Sequence, residues 1–312
     1  MITRRHIRLK AMQFLYSYFT SKDTILSDCK RDMIDNINGL TSLNLIILAF
    51  LIDLHKYSKS FFINHRSSLS FQQYDVRLNQ RFIDNKVFLV FDSDENLIKG
   101  INKMSKILKR ADVDLLNKTF VKIIKSKQYD EYVNNDNSFD QDKKFVEIIL
   151  KEFILNNEIF HHILQEQNIY WNDDLPFMAI YLINQISLIR SVDDKFTIDK
   201  SFKNQDDRRF AIDLLDKTIE NTDDFDDLIV KYAKNWDLDR IAKMDILLIK
   251  MALTEIIEFN EMPIKVTFNE YLEISKYYST QNSRVFINGI LDKIVSDFNK
   301  EGKINKVGRG LV

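Results

Sequence analysis

Arg4, Arg5, Arg8 and Lys10 stand within one short stretch at the start of the chain, with no acid before Asp23. The segment from Thr3 to Phe19 has helical spacing, with Ile7, Ala11, Phe14 and Tyr18 in one apolar line and Thr3 as N-cap. Arginine at a helix N-terminus works against the helix dipole, so this cluster gains nothing from its position. Its chemistry is that of planar cationic forks, which grip phosphates and stack on bases. Arg5, Leu9, Met12 and Tyr16 recur at helical spacing and share one side, which makes Tyr16 a candidate stacking platform. Tyr18 falls in line with the apolar positions and reads as core.

Other chemistries lack their residues. There is no phosphate-binding glycine loop, no HExxH and no CxxC. His161 and His162 are adjacent and diverge on a helix, so they cannot chelate one metal from one face. The single cysteine, Cys29, excludes a disulfide framework, fits a reducing cytoplasm and reads as a packed thiol. No nucleophile, base and oxyanion donor assemble, so an enzyme is not expected. The longest apolar run, Leu45 to Ile52, is short of the ~20 residues of a membrane span.

The elements that must position the basic start are helices. Only 6 glycines and 2 prolines occur in 312 residues, too few for turn-rich β folds or Gly-loop nucleotide folds. The balance of 45 Lys+Arg against 46 Asp+Glu leaves a net charge of −1, so affinity for a polyanion must come from local clusters. Further helices are expected at about 37–62, raggedly over 87–132, at 142–155, and at 173–189 with Pro176 in the first turn. Residues 64–80 read as loop, and Tyr132 to Lys144, rich in Asn and Asp, as a linker. Asp206 to Asp227 carries nine acids and three bases, a solvated face or a surface for a basic partner. Helices follow over 238–259, from a capping box Thr267-Phe-Asn-Glu270 to about Ser279, and over 283–298. Gly289 in the last of these suggests close helix contact, and the tail from Lys300 reads as frayed.

Two segments carry a pattern. One is the arginine-rich start through Tyr16-Ser-Tyr18. The other runs from Trp236-Asp-Leu-Asp-Arg240 through Met251-Ala-Leu-Thr-Glu255 and Met262-Pro263-Ile-Lys-Val266-Thr-Phe-Asn269-Glu270 to Ser283-Arg-Val-Phe286-Ile-Asn288-Gly289-Ile-Leu-Asp292-Lys293. Together they resemble the NusB family of transcription antitermination factors, over residues 3–20 and 206–298. The resemblance implies an all-α, NusB-like helical bundle with a long helical insertion after the first helix. Residues 1–20 would pack with a NusB-like domain at 141–312, and 21–140 would form the insertion, as in the long form of the family found in the Bacteroidetes.

The resemblance also implies binding of boxA-like single-stranded RNA from ribosomal-operon transcripts. Binding would occur with the ribosomal protein NusE, on elongating RNA polymerase with other Nus factors, in the cytoplasm and without a cofactor. The RNA-binding residues it implies are Arg4, Arg5, Arg8, Lys10, Tyr16, Asn282, Ser283 and Phe286. Glu255 and Glu270 read as structural acids. A protein-only scaffold of the transcription complex is the alternative. An rRNA methyltransferase with a NusB-like N-terminal domain would need a Gly-rich domain after the helical one, whereas this chain ends about 14 residues past the last helix.

Overall fold

The computed structural model describes residues 2–21, 23–65, 80–108, 113–233 and 241–307. Among them are fifteen α-helices and no strand. The expected loop at 64–80 and the start of the pattern at Trp236–Arg240 fall almost wholly outside the described residues. The chain divides into two compact units, residues 1–37 with 202–312, and residues 38–201. Residues 141–201, assigned from the sequence to the NusB-like domain, thus lie in the second unit.

The first unit takes α1 (Arg4–Thr20), the start of α2 (Leu26–His65), and α11 to α15. The last five are Gln205–Glu220, Thr222–Tyr232, Lys243–Glu258, Ile264–Tyr278 and Ser283–Lys300. Helix α13 is the central rod, in contact with α1, α11, α12, α14 and α15. It is buried almost all round, including Lys250, Thr254 and Glu255. Such a helix needs internal partners for every polar side chain it carries.

Its neighbours supply them. Lys250 donates to Asp226 (2.7 Å), and the Thr254 and Thr218 hydroxyls pair at 3.0 Å. Lys306, from the tail expected to be frayed, donates to the carbonyls of Glu255 (3.3 Å) and Phe259 (2.9 Å), closing the C-terminal end of α13. The tail turns into that position at Gly302, whose φ of +66° suits glycine. Residues 308–312 lie outside the described residues.

Helix α14 begins at Ile264, directly after Pro263, so the expected capping box does not form there. Thr267 and Glu270 sit inside the helix and reach other helices instead.

The second unit takes the rest of α2 and α3 to α10: Gln80–Ile83, Val87–Phe91, Glu95–Leu108, Val113–Ile124, Lys127–Asn134, Phe139–Ile148, Glu158–Gln167 and Trp171–Ser187. A π-helical turn, Ile149–Ile154, continues α8. The core is strongly aromatic. Tyr132 stacks on Phe145 with centroids 4.1 Å apart, and Phe50 on Phe160 at 4.7 Å.

The expected linker at 132–144 is instead structural. The Tyr132 hydroxyl donates to buried Asp142 (2.8 Å), and Ser138 caps α8. Its Asn and Asp content reflects helix ends, not a boundary. Helix α10 starts at Trp171, which places Pro176 inside the helix. The stretch Leu26–Ile63 of α2 is long and apolar enough to cross a membrane, but 67% of its most apolar window is buried, the place of a core helix.

Candidate nucleic-acid interface

Helix α1 starts where the sequence reading put it, with the Thr3 hydroxyl accepting from the His6 amide at 3.3 Å. Its arginines meet acids from three later helices. Arg4 Nε lies 3.2 Å from Asp207 Oδ1 on α11. Arg5 makes a fork to Glu270 on α14, at 2.7 and 2.8 Å. Arg8 makes a second fork to Glu255 on α13, both bonds 2.7 Å. The cluster that has no acid beside it in sequence is therefore neutralised in space.

The Arg8–Glu255 pair is buried, with side chains 2% and 0% exposed. Glu255 also accepts from the Thr267 hydroxyl (2.7 Å) and the Tyr271 hydroxyl (3.3 Å), so its lone pairs are well satisfied. Burial acts to lower the Arg8 pKa, but the Glu255 hydrogen bond and charge outweigh it and leave the pKa raised. For Arg5 the hydrogen bond to Glu270 is the main cause of a raised pKa. Burial, which strongly disfavours the phenolate, pushes the Tyr271 pKa well up.

Four residues proposed from the sequence as RNA contacts do not face solvent. Arg8 is held by Glu255. Lys10 is buried, its Nζ 3.3 Å from Gln13 Oε1. Ser283 is buried and donates to Asp245 Oδ2 at 2.8 Å, tying α15 to α13. Phe286 is buried on the inner side of α15 with Ile287 and Ile290. An apolar stripe at helical spacing explains Phe286, and the burial of polar side chains with partners explains the other three.

The other four reach the surface. Arg4 and Arg5 are 44% and 51% exposed. Tyr16 is exposed, as is Asn282 at the N-cap of α15, where its side chain makes no capping bond. Arg5 commits Nε and Nη2 to Glu270, so the fork is held flat while Nη1 and the guanidinium faces remain available. Along α1, Arg5 and Tyr16 are about 16 Å apart. Met12 between them is buried, so their shared side is not a continuous exposed strip.

Tyr16, Phe19 and Thr20 line a cavity of about 170 Å³ with Lys243, Ile246 and Lys250 of α13. The Lys250 ammonium lies 5.2 Å over the Phe19 ring. The cavity is well below the ~300–1,000 Å³ of typical ligand pockets and suits one planar ring.

The sequence reading missed Tyr277 and Arg284. Tyr277 is 81% exposed near the end of α14, and Arg284 is exposed on α15. The Lys276 hydrogen bond, followed by the charges of Lys276, Arg284 and Arg5, holds the Glu273 carboxyl below its usual pKa. The signal was available in helical phase. Ser283, Phe286, Ile287 and Ile290 form the inward stripe of α15, so Arg284 and Val285 must point outward. Among the described residues no group of three or more His, Cys, Asp or Glu is placed to hold a metal. Cys29 is buried, which with Asp32 pushes its thiol pKa up to about 11.

Residues 176–296 match the sequence pattern of the NusB family. This stretch is a NusB family domain within a longer chain. Similar proteins are the transcription antitermination proteins NusB of Salinibacter ruber, 44% identical over 105 residues, and of Chloroherpeton thalassium, 41% over 103. The alignments cover 34% and 33% of this chain, and 66% and 49% of those relatives. The NusB protein of Thermodesulfovibrio yellowstonii is 41% identical over 95 residues, which are 30% of this chain and 63% of the relative. The chain thus spans about half to two thirds of the relatives it matches. No solved structure matches it. The NusB family match begins in α10 and does not include α1. The arginine bridges to Asp207, Glu255 and Glu270 nonetheless join α1 to helices inside the match.

Proposed function

We propose that the protein is a transcription antitermination factor that binds boxA-like single-stranded RNA of ribosomal-operon transcripts. In this reading it acts in the cytoplasm with the ribosomal protein NusE on elongating RNA polymerase. The observation that carries the reading is the 41–44% identity to proteins named for transcription antitermination. The first unit supports it with exposed groups suited to a splayed strand. Arg5, braced by Glu270, offers its free amino group to a phosphate. Tyr16, at the lip of the small cavity, offers a ring for a base. Arg4, Asn282, Arg284 and Tyr277 are further contacts on the same unit.

For the basic partner protein we assign the exposed acids of α11 and α12. Asp207, Asp216 and Asp226 are already paired, with Arg4, Lys30 and Lys250. Asp206, Asp223, Asp224 and Asp227 remain exposed, and Glu220 is exposed while paired with Lys217; acids outnumber the bases Arg208, Arg209 and Lys217 here, which suits the steering of a basic surface.

The test is titration of boxA-like RNA, with and without the cognate NusE protein, against folded single variants. Tyr16→Ala should weaken binding by ~1–3 kcal/mol while Tyr16→Phe binds nearly normally. Arg5→Ala should reduce the log–log salt slope by about 0.7. Folded Tyr16→Ala and Arg5→Ala proteins that both keep wild-type affinity and slope would remove RNA from this face.

A further inference from the structure

A long basic stretch lies in the second unit, outside the family match. Residues 95–127 hold nine Lys+Arg against three Asp+Glu, a net charge of +6 in 33 residues of a chain whose total is −1. The described part of this stretch includes α5 and α6. On α5, Lys99, Lys103 and Lys106 follow i, i+4, i+7 spacing, and on α6 and the residue after it Lys118, Lys122 and Lys125 do the same. Each set falls within a narrow arc of its helix, and all six side chains are exposed. The opposite faces are buried, through Leu97, Ile101, Met104 and Leu108 on α5, and Leu115, Phe120 and Ile123 on α6.

Lys99 and Lys118 pair with Glu95 and Asp114 on their own helices. Lys103, Lys106, Lys122 and Lys125 have no acid partner among the described residues. Like charges at i,i+4 cost a helix ~0.2–0.5 kcal/mol per pair, so these stripes weaken the helices that bear them. A bound polyanion removes that cost.

We propose that these two lysine stripes are a second contact for single-stranded RNA, made to its phosphates. The inference rests on the RNA-binding reading of the first unit. Lysine is a compact point charge that suits phosphate oxygens without reading bases. Among the described side chains of α5 and α6, no large apolar or aromatic one is exposed to stack a base. Asn117 and Asn156 line a cleft of about 450 Å³ with Lys118 and Lys122, giving amide donors beside the ammonium groups. The contact is therefore electrostatic and indifferent to sequence, unlike the arginine and tyrosine surface of the first unit.

The experiment uses the full chain, a boxA-like single-stranded RNA and a scrambled RNA of equal length, titrated over a salt series. Replacing Lys103, Lys106, Lys122 and Lys125 together with Gln should flatten the salt slope by about 2–3 for both RNAs. The fourfold Lys→Arg variant should keep the wild-type slope. Circular dichroism and the unchanged behaviour of Tyr16→Ala in the Gln background confirm that the first unit is intact. An unchanged slope in a Gln variant that binds RNA through Arg5 and Tyr16 would overturn this inference and leave the first reading standing. Loss confined to one RNA sequence would also overturn it, as would binding of phosphatidylglycerol vesicles that needs these lysines while RNA binding does not. A wild-type chain that binds neither RNA would remove both proposals.

Discussion

The two units treat basic side chains in opposite ways. In the first, arginines crowd the start of α1 and each meets an acid from far along the chain, at sequence separations of 203, 265 and 247 residues. In the second, lysines are spread along two helices and four of them meet no acid at all among the described residues. The denser cluster is thus the more committed one. A basic run signals a ligand only after the fold's own demands are subtracted. Arg8 fastens α1 to the core, Arg5 divides itself between Glu270 and solvent, and Lys103 faces solvent alone.

The largest effect should come from breaking the most committed pair. Arg8→Ala leaves the Glu255 carboxylate buried with no counter-charge, at a cost of ~3–5 kcal/mol. Replacing both partners, as Arg8→Met with Glu255→Gln, should recover a substantial part of that loss. Arg5→Ala breaks a half-exposed pair and should cost no more than about 1 kcal/mol. Denaturant titration with hydrogen exchange at the amides of α1 and α13 separates these cases. Equal costs at Arg5 and Arg8 would contradict the division drawn between them. For the same reason Arg8 variants are poor probes of RNA binding, since they disturb the fold first.

That division marks what was legible in the sequence. Scarce glycine and proline, the apolar line Ile7, Ala11, Phe14 and the cap at Thr3 are local signals, and they give the helical class and the start of α1. The acids facing Arg4, Arg5 and Arg8 are long-range partners, invisible to spacing. Thr267 and Glu270 show the same limit from the other side. Their spacing fits a capping box, yet Pro263 opens the helix a turn earlier and frees Glu270 for Arg5. Tyr132 to Lys144 has a linker's composition, but its Asn, Asp and Ser sit at the junction of α7 and α8 and inside α8. In the site itself, the family resemblance named Ser283 and Phe286, whereas helical phase selects Arg284.

His55 shows a third fate for a basic group, burial without an acid. Its ring stacks on Phe88 with centroids 3.7 Å apart, and Nε2 lies 2.9 Å from the Ile83 carbonyl oxygen. Burial, with the nearby charge of Lys59, lowers its pKa to about 4 from the ordinary 6.5. Between these values the unfolded chain takes up a proton that the folded one refuses. Stability is therefore full above about pH 6.5 and declines as pH falls toward 4, by ~3 kcal/mol at the lower end. The decline should appear in denaturant midpoints of the second unit followed by hydrogen exchange at α2 and α4. His55→Gln should remove most of this slope while lowering the plateau through the lost stack. A His55→Gln protein with the wild-type pH dependence would assign the titration to another group.

The smallest effect concerns Gly289, a residue whose sequence-based reason is absent from the fold. Glycine inside a helix costs roughly 1 kcal/mol against alanine, and close helix contact would justify that cost. No such contact exists among the described residues, because a Cβ built on Gly289 meets nothing within 4 Å. Gly289→Ala should therefore raise stability by ~0.5–1 kcal/mol, read as a higher denaturant midpoint at unchanged slope. Arg5 and Gly289 then pose the same question in opposite forms. Arg5 is a group with an internal partner and a surface to spare, while Gly289 is a gap with no internal occupant. If a partner backbone or RNA strand approaches α15 at Gly289, the alanine protein will be the more stable one and the weaker binder. A stabilised Gly289→Ala protein that binds RNA and the NusE protein as the wild type does would show that nothing approaches closely there. A destabilised one would mean that the open space is filled within the chain itself.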